Sequence, residues 1–383
     1  MKKVLILGGS HRDIPLIKAS QELGYFVITL GDRDHYLGHN YSDKVYKINF
    51  NDLVKVKEVI RSEKVDYLLP GSGEESYLNT VQLAQELGIG NFDTFATAKL
   101  VHNKWQFKEF CLKHSISTPS GHYYKNGLDL DNVVFPVAVK PTNLSGGRGV
   151  DIVSNLEDLQ KSLLKAKKVS DEIFLEEYID GQLIAYSVFI KDQRIAYGFT
   201  GADVTYKNKY LITSAYPIQL EPSTMGKLRK DVESIAKILS LVDGMFHLQV
   251  IIRDGVPYII DVTRRIPGDF YPYLMEYCDQ VEYSKAVVKS YIGQEIKDEF
   301  DSEEKQHFVI RHCVMSDKNG IFKGVEVDRS IENNVIFRID LKESESRIEN
   351  FLIEQLAIVF VRLPDNGMSI ANNINRLICP KVV

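Results

Sequence analysis

The 383 residues hold no apolar stretch approaching the roughly 20 needed to span a bilayer, no CxxC pair and no low-complexity linker or internal repeat. Cysteine is scarce. Cys111, Cys278, Cys313 and Cys379 lie far apart, which argues against a disulfide framework or a structural zinc site and suits a reducing compartment. Positive charge is not in excess: 47 basic against 52 acidic residues leave a net charge of -5, and nothing electrostatic points to a nucleic-acid partner. Neither a Walker A sequence nor a GxGxxG fingerprint is present, so a P-loop and a typical dinucleotide site are both disfavoured. The opening apolar run stops at Gly8, and Ser10, His11, Arg12 and Asp13 follow, unlike a signal peptide. The expectation is a soluble cytoplasmic protein with no membrane partner. What is present is an ordinary globular composition, 44% hydrophobic and 26% charged, long enough for two or three packed units.

Hydrophobic periodicity supplies the organisation. Val4–Leu7 is a short apolar run; Leu16, Ala19 and Leu23 then recur on one helical face, and Gly24 stops that helix. Tyr25–Leu30 reads as a strand, Leu53, Val56 and Ile60 as a helix, and Asp66–Leu69 as a strand closed by Pro70-Gly71. This alternation predicts a parallel, doubly wound sheet with ligands at the carboxyl ends of its strands. Near Thr97 a second region begins with a helix carrying Lys104 and Trp105. Strands follow at Phe135–Lys140, Val150–Val153 and Ile173–Ile179, with a charged helix over Leu156–Lys168. Asp180-Gly181 and Asp192-Gln193 read as turns. Leu228, Val232, Ile235 and Leu239 mark a helix leading into Phe246–Arg253 and Val256–Thr263, a hairpin turning at Asp254-Gly255. Short strands and a helix are expected after the acidic stretch near Asp298–Glu304.

Three segments carry chemistry. Lys140 ends a buried strand five residues before Ser145-Gly146-Gly147-Arg148-Gly149, where glycines let backbone N–H groups approach phosphate oxygens. Alone the glycines would fit an ordinary tight hairpin equally well; the lysine favours phosphate. Phe174-Leu175-Glu176-Glu177-Tyr178-Ile179 is a strand whose edge and carboxylates suit adenine, or simply a sheet edge leaving the core. In the third, Gln249, Asp261 and Thr263 offer oxygen ligands for Mg²⁺, which takes one or two carboxylates together with phosphate oxygens. Arg265, two residues on, suits a transferring phosphoryl group.

In this order, Lys104, Lys140, the glycine-rich loop, Glu176–Ile179, Gln249 and Asp261–Arg265, the chain resembles the ATP-grasp superfamily over roughly residues 1–290. The resemblance implies an α/β and α+β architecture. A Rossmann-like pre-ATP-grasp domain (1–95) would precede an ATP-grasp core (96–295) with a mobile lid at about 120–185, and a small C-terminal α+β subdomain (296–383) would follow. It implies ATP and Mg²⁺ as cofactors, Mn²⁺ being an alternative ion. Lys104 and Lys140 would contact phosphates, with Ser145, Gly146, Gly147 and Gly149 over them, and Glu176, Glu177, Tyr178 and Ile179 would hold adenine. Gln249, Asp261 and Thr263 would bind metal; Arg265, Lys140 and Arg148 would be the catalytic cations. The implied reaction activates a carboxylate as an acyl phosphate and couples it to an amine, both small molecules; a homodimer is a family-level expectation.

The chain departs from the family at three places. Gln249 stands for a carboxylate, Thr263 for asparagine, and after Gly181 Leu183 or a neighbouring residue lies where a ribose-binding glutamate is usual. A two-residue turn at Asp254-Gly255 would put Gln249 and Asp261 on opposite faces, so a three-residue loop with a bulged Gly255 is predicted. Outside the ATP core, His11, Gly73 and Glu74 are candidate substrate residues, the 71–75 loop as a cradle for an anionic group. Arg264 is a candidate for a substrate carboxylate or phosphate; His247 and Trp105 read as packing. Rival readings are a carbamoyl-phosphate-synthetase-like enzyme, an NAD(P) oxidoreductase using Asp32 or Asp34, and a nucleotide-binding protein with a weakened metal site.

Overall fold

The first four strands, β1 (Lys3–Leu7), β2 (Phe26–Leu30), β3 (Lys44–Tyr46) and β4 (Tyr67–Pro70), form one parallel sheet in the order β3-β2-β1-β4. Both faces of β1 are covered, which is why Val4–Leu7 is a continuous apolar run instead of an alternating one. Helices Ile14–Glu22 and Leu53–Glu63 connect these strands, as the periodicity predicts, and helix Glu74–Leu87 follows β4. The computed structural model describes residues 1–124, 130, 133–141, 149–302, 307–364 and 367–383.

A second, antiparallel sheet holds β5 (Gly121–Tyr124), β6 (Val137–Pro141), β7 (Asp151–Val153) and β8 (Ile173–Glu177) in the order β5-β8-β6-β7. Helix Leu156–Ala166 packs Leu159 and Leu163 onto it. The next five strands are β9 (Gln182–Lys191), β10 (Arg194–Thr205), β11 (Ile212–Pro217), β12 (Gly244–Arg253) and β13 (Val256–Thr263). The remaining strands are β14 (Phe308–Met315), β15 (Gly320–Val327), β16 (Val335–Asp340), β17 (Arg347–Ile348), β18 (Gln355–Leu363) and β19 (Ile378–Val382). Eight of these build one sheet, β13-β12-β9-β10-β11-β14-β18-β16, and β17-β15-β19 form a small sheet beside it.

The large sheet organises the molecule. One face packs Ala185, Phe199, Ala215 and Met245 against helices Tyr271–Asp279 and Tyr283–Tyr291 and the first sheet's helices. Its other face packs Ile184, Val188, Leu248 and Val250 against helix Pro222–Ile238. Because β14, β16 and β18 continue the same sheet, the C-terminal strands share a ladder with the hairpin that carries Asp261. Sequence reading places one helix over Lys104 and Trp105; there are two, Phe95–His102 and Lys104–Lys113, and Asn103 breaks them apart by capping the second through Gln106 N. Among the described residues no helix is long and apolar enough to cross a membrane.

Candidate functional site

The β12–β13 hairpin decides whether the candidate metal ligands meet. Its turn is not the predicted three-residue loop. Arg253 pairs with Val256, and both turn residues are left-handed, Asp254 at φ 52° and Gly255 at φ 75°, as a two-residue type I′ turn requires. That register alone would separate Gln249 from Asp261. An extra residue, Ile260, is inserted further along β13: Val250 faces Ile259 and Gln249 faces Asp261, so the ladder shifts by one. The bulge exchanges faces within the strand, and Ile259 and Val262, three apart, are both buried in the same core. Gln249 and Asp261 are thus direct cross-strand neighbours. The expected juxtaposition is present, but a bulge at Ile260 makes it, not the turn.

Lys104 is the first residue of its helix, where a cation opposes the helix dipole. Asp261 compensates it, with Oδ2 3.5 Å from Lys104 Nζ, and holds the ammonium above its ordinary pKa. Arg265 joins them: burial works against its charge, and Asp261 and Glu74 work for it. Its Nε is buried without a partner among the described residues. Glu74 is held above the usual carboxylate range by burial and by Asp261, against Arg265 and Lys104. Thr263 Oγ1 accepts from Arg265 N at 3.3 Å, so its hydroxyl shapes the strand end as much as it offers a ligand.

A second cluster lies on the smaller antiparallel sheet. Glu176 does not face a base edge. Its carboxylate is buried and accepts from both Lys140 and Lys108, and Lys108 also donates to Pro119 O at 3.1 Å. Burial pushes Glu176 up, but the two lysines outweigh it and hold the carboxyl below its ordinary value. Burial brings Lys108 down to about 8. Lys108 was missed in the sequence; its only signal is a lysine set among Phe107, Phe110 and Cys111 on an otherwise apolar face. Glu177 is tied to Arg253 at 3.2 Å and Ser120 Oγ at 2.9 Å, and Tyr178 N donates to Pro136 O at 3.1 Å. Gly149 has φ 73°, whereas Ser145, Gly146, Gly147 and Arg148 lie outside the described residues.

Several candidate substrate residues have other duties. Arg264 is buried: it pairs with Asp93 at 2.8 Å and donates to Met245 O and Val242 O, so its guanidinium is a structural tie, not a ligand for substrate. The 71–75 loop is a poor anion cradle. Ser72 N already donates to Asp13 Oδ1, Gly71 N to Ser76 Oγ, and Glu74 and Glu75 place negative charge in the first turn of the helix that Gly73 caps. Asp13 also takes the Gly9 and Ser10 amides, where a dinucleotide pyrophosphate would bind, and Asp32 is engaged by Asn49 and Asp34 by Lys47. The oxidoreductase reading loses its site to that carboxylate. His247 packs, as read, with Nδ1 2.7 Å from Ser187 Oγ, and Trp105 stacks edge-on against Tyr123.

His11 reaches a residue the sequence reading passed over. Asp269 follows Pro267-Gly268 and sits with Phe270 in two successive left-handed conformations, both φ 57°. Its carboxylate accepts from Arg12 Nε at 3.0 Å and Gln355 Nε2 at 2.9 Å and lies 3.5 Å from His11 Nε2. Burial would raise Asp269, but Arg12, His11 and Arg311 hold it well below the usual carboxylate range. It ties the first sheet's loop to the C-terminal strands.

A family model for the C-terminal region of D-ala D-ala ligase matches residues 129–268, which include Lys140, Glu176, the bulged hairpin and Arg265 but not Lys104, Lys108 or Glu74. The carbamoyl phosphate synthase large chain of Sulfolobus acidocaldarius is 24% identical over 295 residues, 69% of this chain and 27% of that one. Phosphoribosylglycinamide synthetase from Anaerococcus prevotii superposes over 100% of both chains with a TM-score of 0.80 at 19% identity. The biotin carboxylase domain of Hydrogenobacter thermophilus 2-oxoglutarate carboxylase, solved with MgADP and bicarbonate, gives a TM-score of 0.76 at 17% identity, covering 95% of this chain and 86% of that one. The chain has the ATP-grasp fold. It spans about a quarter of the carbamoyl phosphate synthase chains it matches, as the 27% coverage records.

In this fold the described residues hold no cluster of three or more His, Cys, Asp or Glu side chains fit to bind a metal ion by themselves. One carboxylate, Asp261, beside the neutral oxygen of Gln249 suits an ion that arrives with its phosphates, since Mg²⁺ keeps most of its ligands as water and phosphate oxygen.

Proposed function

We propose that the chain is a Mg-ATP-dependent ligase that activates a small carboxylate as its acyl phosphate and couples it to an amine, releasing ADP and phosphate. The observation that carries this reading is the hairpin end: the bulge puts Gln249 against Asp261, and Lys104 bridges to Asp261 beside Arg265. Mg²⁺, or Mn²⁺ on the same oxygen donors, would neutralise phosphate charge there. Lys104 and Lys140 each rest on a carboxylate, so ATP phosphates would replace one anion by another at each ammonium. Arg265, its Nε unpaired among the described residues, would meet the charge that develops as the substrate carboxylate oxygen attacks the γ-phosphorus. The Tyr178 amide is already used, so adenine would be read by the segment's carbonyls and the Ile179 amide.

The proposed division is a core over 96–295 between units at 1–95 and 296–383, acting as a cytoplasmic homodimer on small molecules. ADP release with Mg-ATP, measured across a carboxylate panel with and without mixed amines, tests the reaction. Stimulation by one carboxylate that disappears in Lys140→Ala and Asp261→Asn supports it. ATP binding with no stimulated release would favour the second reading, a nucleotide-binding protein without turnover, which Gln249 in place of a carboxylate motivates.

A further inference from the structure

One helix joins the two lysine clusters. Lys104 and Lys108 lie four residues apart on Lys104–Lys113 and therefore share a face of it. Lys104 reaches Asp261 on the hairpin, and Lys108, one turn further, reaches Glu176 on β8. Lys140 comes to the same carboxylate from β6. Ala138 is the partner of Glu176 across the ladder, and Lys140, two residues on, points to the same face. Each lysine takes its own oxygen, Lys108 donating to Glu176 Oε2 and Lys140 to Oε1.

The two cations are not equivalent. Lys108 is held on several sides: it also donates to Pro119 O at 3.1 Å, and its ammonium lies 5.4 Å from the centre of the Phe174 ring. Its side chain is buried with that of Glu176, whereas Lys140 stays partly exposed. Lys140 can therefore turn to a phosphate, and Lys108 cannot. When Lys140 turns away, the Glu176 charge stays buried, and a buried carboxylate left without a cation is strongly destabilising. Among the described residues only Lys108 then remains to pair it. One lysine alone on Glu176 would be locked there; two allow one to leave.

We propose that Lys108 is the positioning residue for Lys140: it keeps Glu176 paired and so frees Lys140 to exchange that carboxylate for a nucleotide phosphate. This rests on the ATP-binding part of the ligase reading. The exchange moves a proton as well. Burial brings Lys108 down to about 8, with Glu176 supporting its charge and Lys140 opposing it. Withdrawing Lys140 removes that opposition and raises the Lys108 pKa in the nucleotide-bound state. The bound state then holds more protons than the free one, so affinity is full below about pH 8 and falls as pH rises through it. The titratable groups facing Lys108 are Glu176 and Lys140 from the small sheet and Cys111 on its own helix; Asp231 faces Cys111 from helix Pro222–Ile238. Burial pushes the Cys111 thiol up to about 12, outside this window.

Calorimetric binding of Mg-ATP to the full chain, below and above pH 8 and in buffers of different ionisation enthalpy, tests this. Wild type should bind more weakly at the higher pH and take up a proton from the buffer as it binds. In Lys108→Met the uptake disappears and binding weakens roughly tenfold to a hundredfold, the size of the charge-assisted hydrogen bond that Lys140 now keeps to Glu176. Lys108→Met with Glu176→Leu recovers most of the affinity, because Lys140 is free again, while the pH dependence stays absent. A Lys108 that only supports the fold predicts no proton uptake in wild type, and that profile needs no variant to fold. Binding by wild type without proton uptake, equal affinity in Lys108→Met, or no recovery in the double variant overturns the assignment and leaves nucleotide binding standing. A wild type that binds no Mg-ATP at either pH overturns this assignment and the ligase reading together.

Discussion

Replacing Glu176 by glutamine tests the lysine pair on the phosphate side. The side chains of Glu176 and Lys108 are 6% and 5% exposed, whereas Lys140 keeps 28%. Lys140 can re-solvate when its partner is neutralised; Lys108 cannot. Burial already brings Lys108 to about 8 from an ordinary 10.5, with Glu176 opposing the shift. Without the carboxylate Lys108 gives up its proton at pH 7. Keeping a lysine neutral there costs about 5 kcal/mol, against about 3 kcal/mol for the shift present in wild type. With a lost charge-assisted hydrogen bond of about 1.5–3 kcal/mol, the variant should lose about 3–5 kcal/mol, the range for one broken buried pair. Urea denaturation followed by circular dichroism measures this. The sign with pH is fixed as well. A lysine depressed in the folded state leaves the unfolded chain holding more protons, so unfolding free energy rises with pH between the two pKa values. In Glu176→Gln that rise begins below pH 8, earlier than in wild type. Removing both charges, in Lys108→Met with Glu176→Leu, should recover most of the loss. A loss under about 1 kcal/mol, or no earlier rise with pH, refutes the reasoning.

Gln249→Glu would set a second carboxylate beside Asp261 and should lower the Mg²⁺ concentration for half-maximal ADP release several-fold; an unchanged requirement would remove Gln249 from the site. Arg264→Met strands Asp93 and should cost about 3–5 kcal/mol in urea while the folded fraction keeps its KM for ATP, since Arg264 is a structural tie. Asp269 is depressed in the folded state, so its stabilisation is present above the ordinary carboxylate pKa and is lost as pH falls. Asp269→Asn should therefore be less stable than wild type at pH 7, with the gap narrowing progressively as pH falls below the ordinary carboxylate pKa, measured by urea midpoints.

The amino-acid order was enough for the elements and for the candidate lysines and acids. Continuous apolar runs mark strands covered on both faces, and Asp254-Gly255 and Asp192-Gln193 mark tight turns, because these signals depend on neighbours a few residues away. Lys104, Lys140, Asp261 and Arg265 were legible for the same reason, polar residues closing apolar strands or opening a helix. The partners of those residues were not legible. Glu176 reads as a base-edge carboxylate in the strand pattern, yet it turns inward to Lys108 and Lys140 from other elements.

Register was the hardest part. The sequence by itself determined that the hairpin turns at Asp254-Gly255, because only that dipeptide accepts two left-handed residues there. Only the tertiary structure decided that Ile260 bulges, since packing Ile259 and Val262 into one core while keeping Asp261 beside Gln249 is settled by the helices and strands laid against the sheet. Arg264 and Asp269 follow the same rule. Each owes its role to groups far away in the chain, and a charge buried in low dielectric takes its meaning from whatever the fold brings within reach.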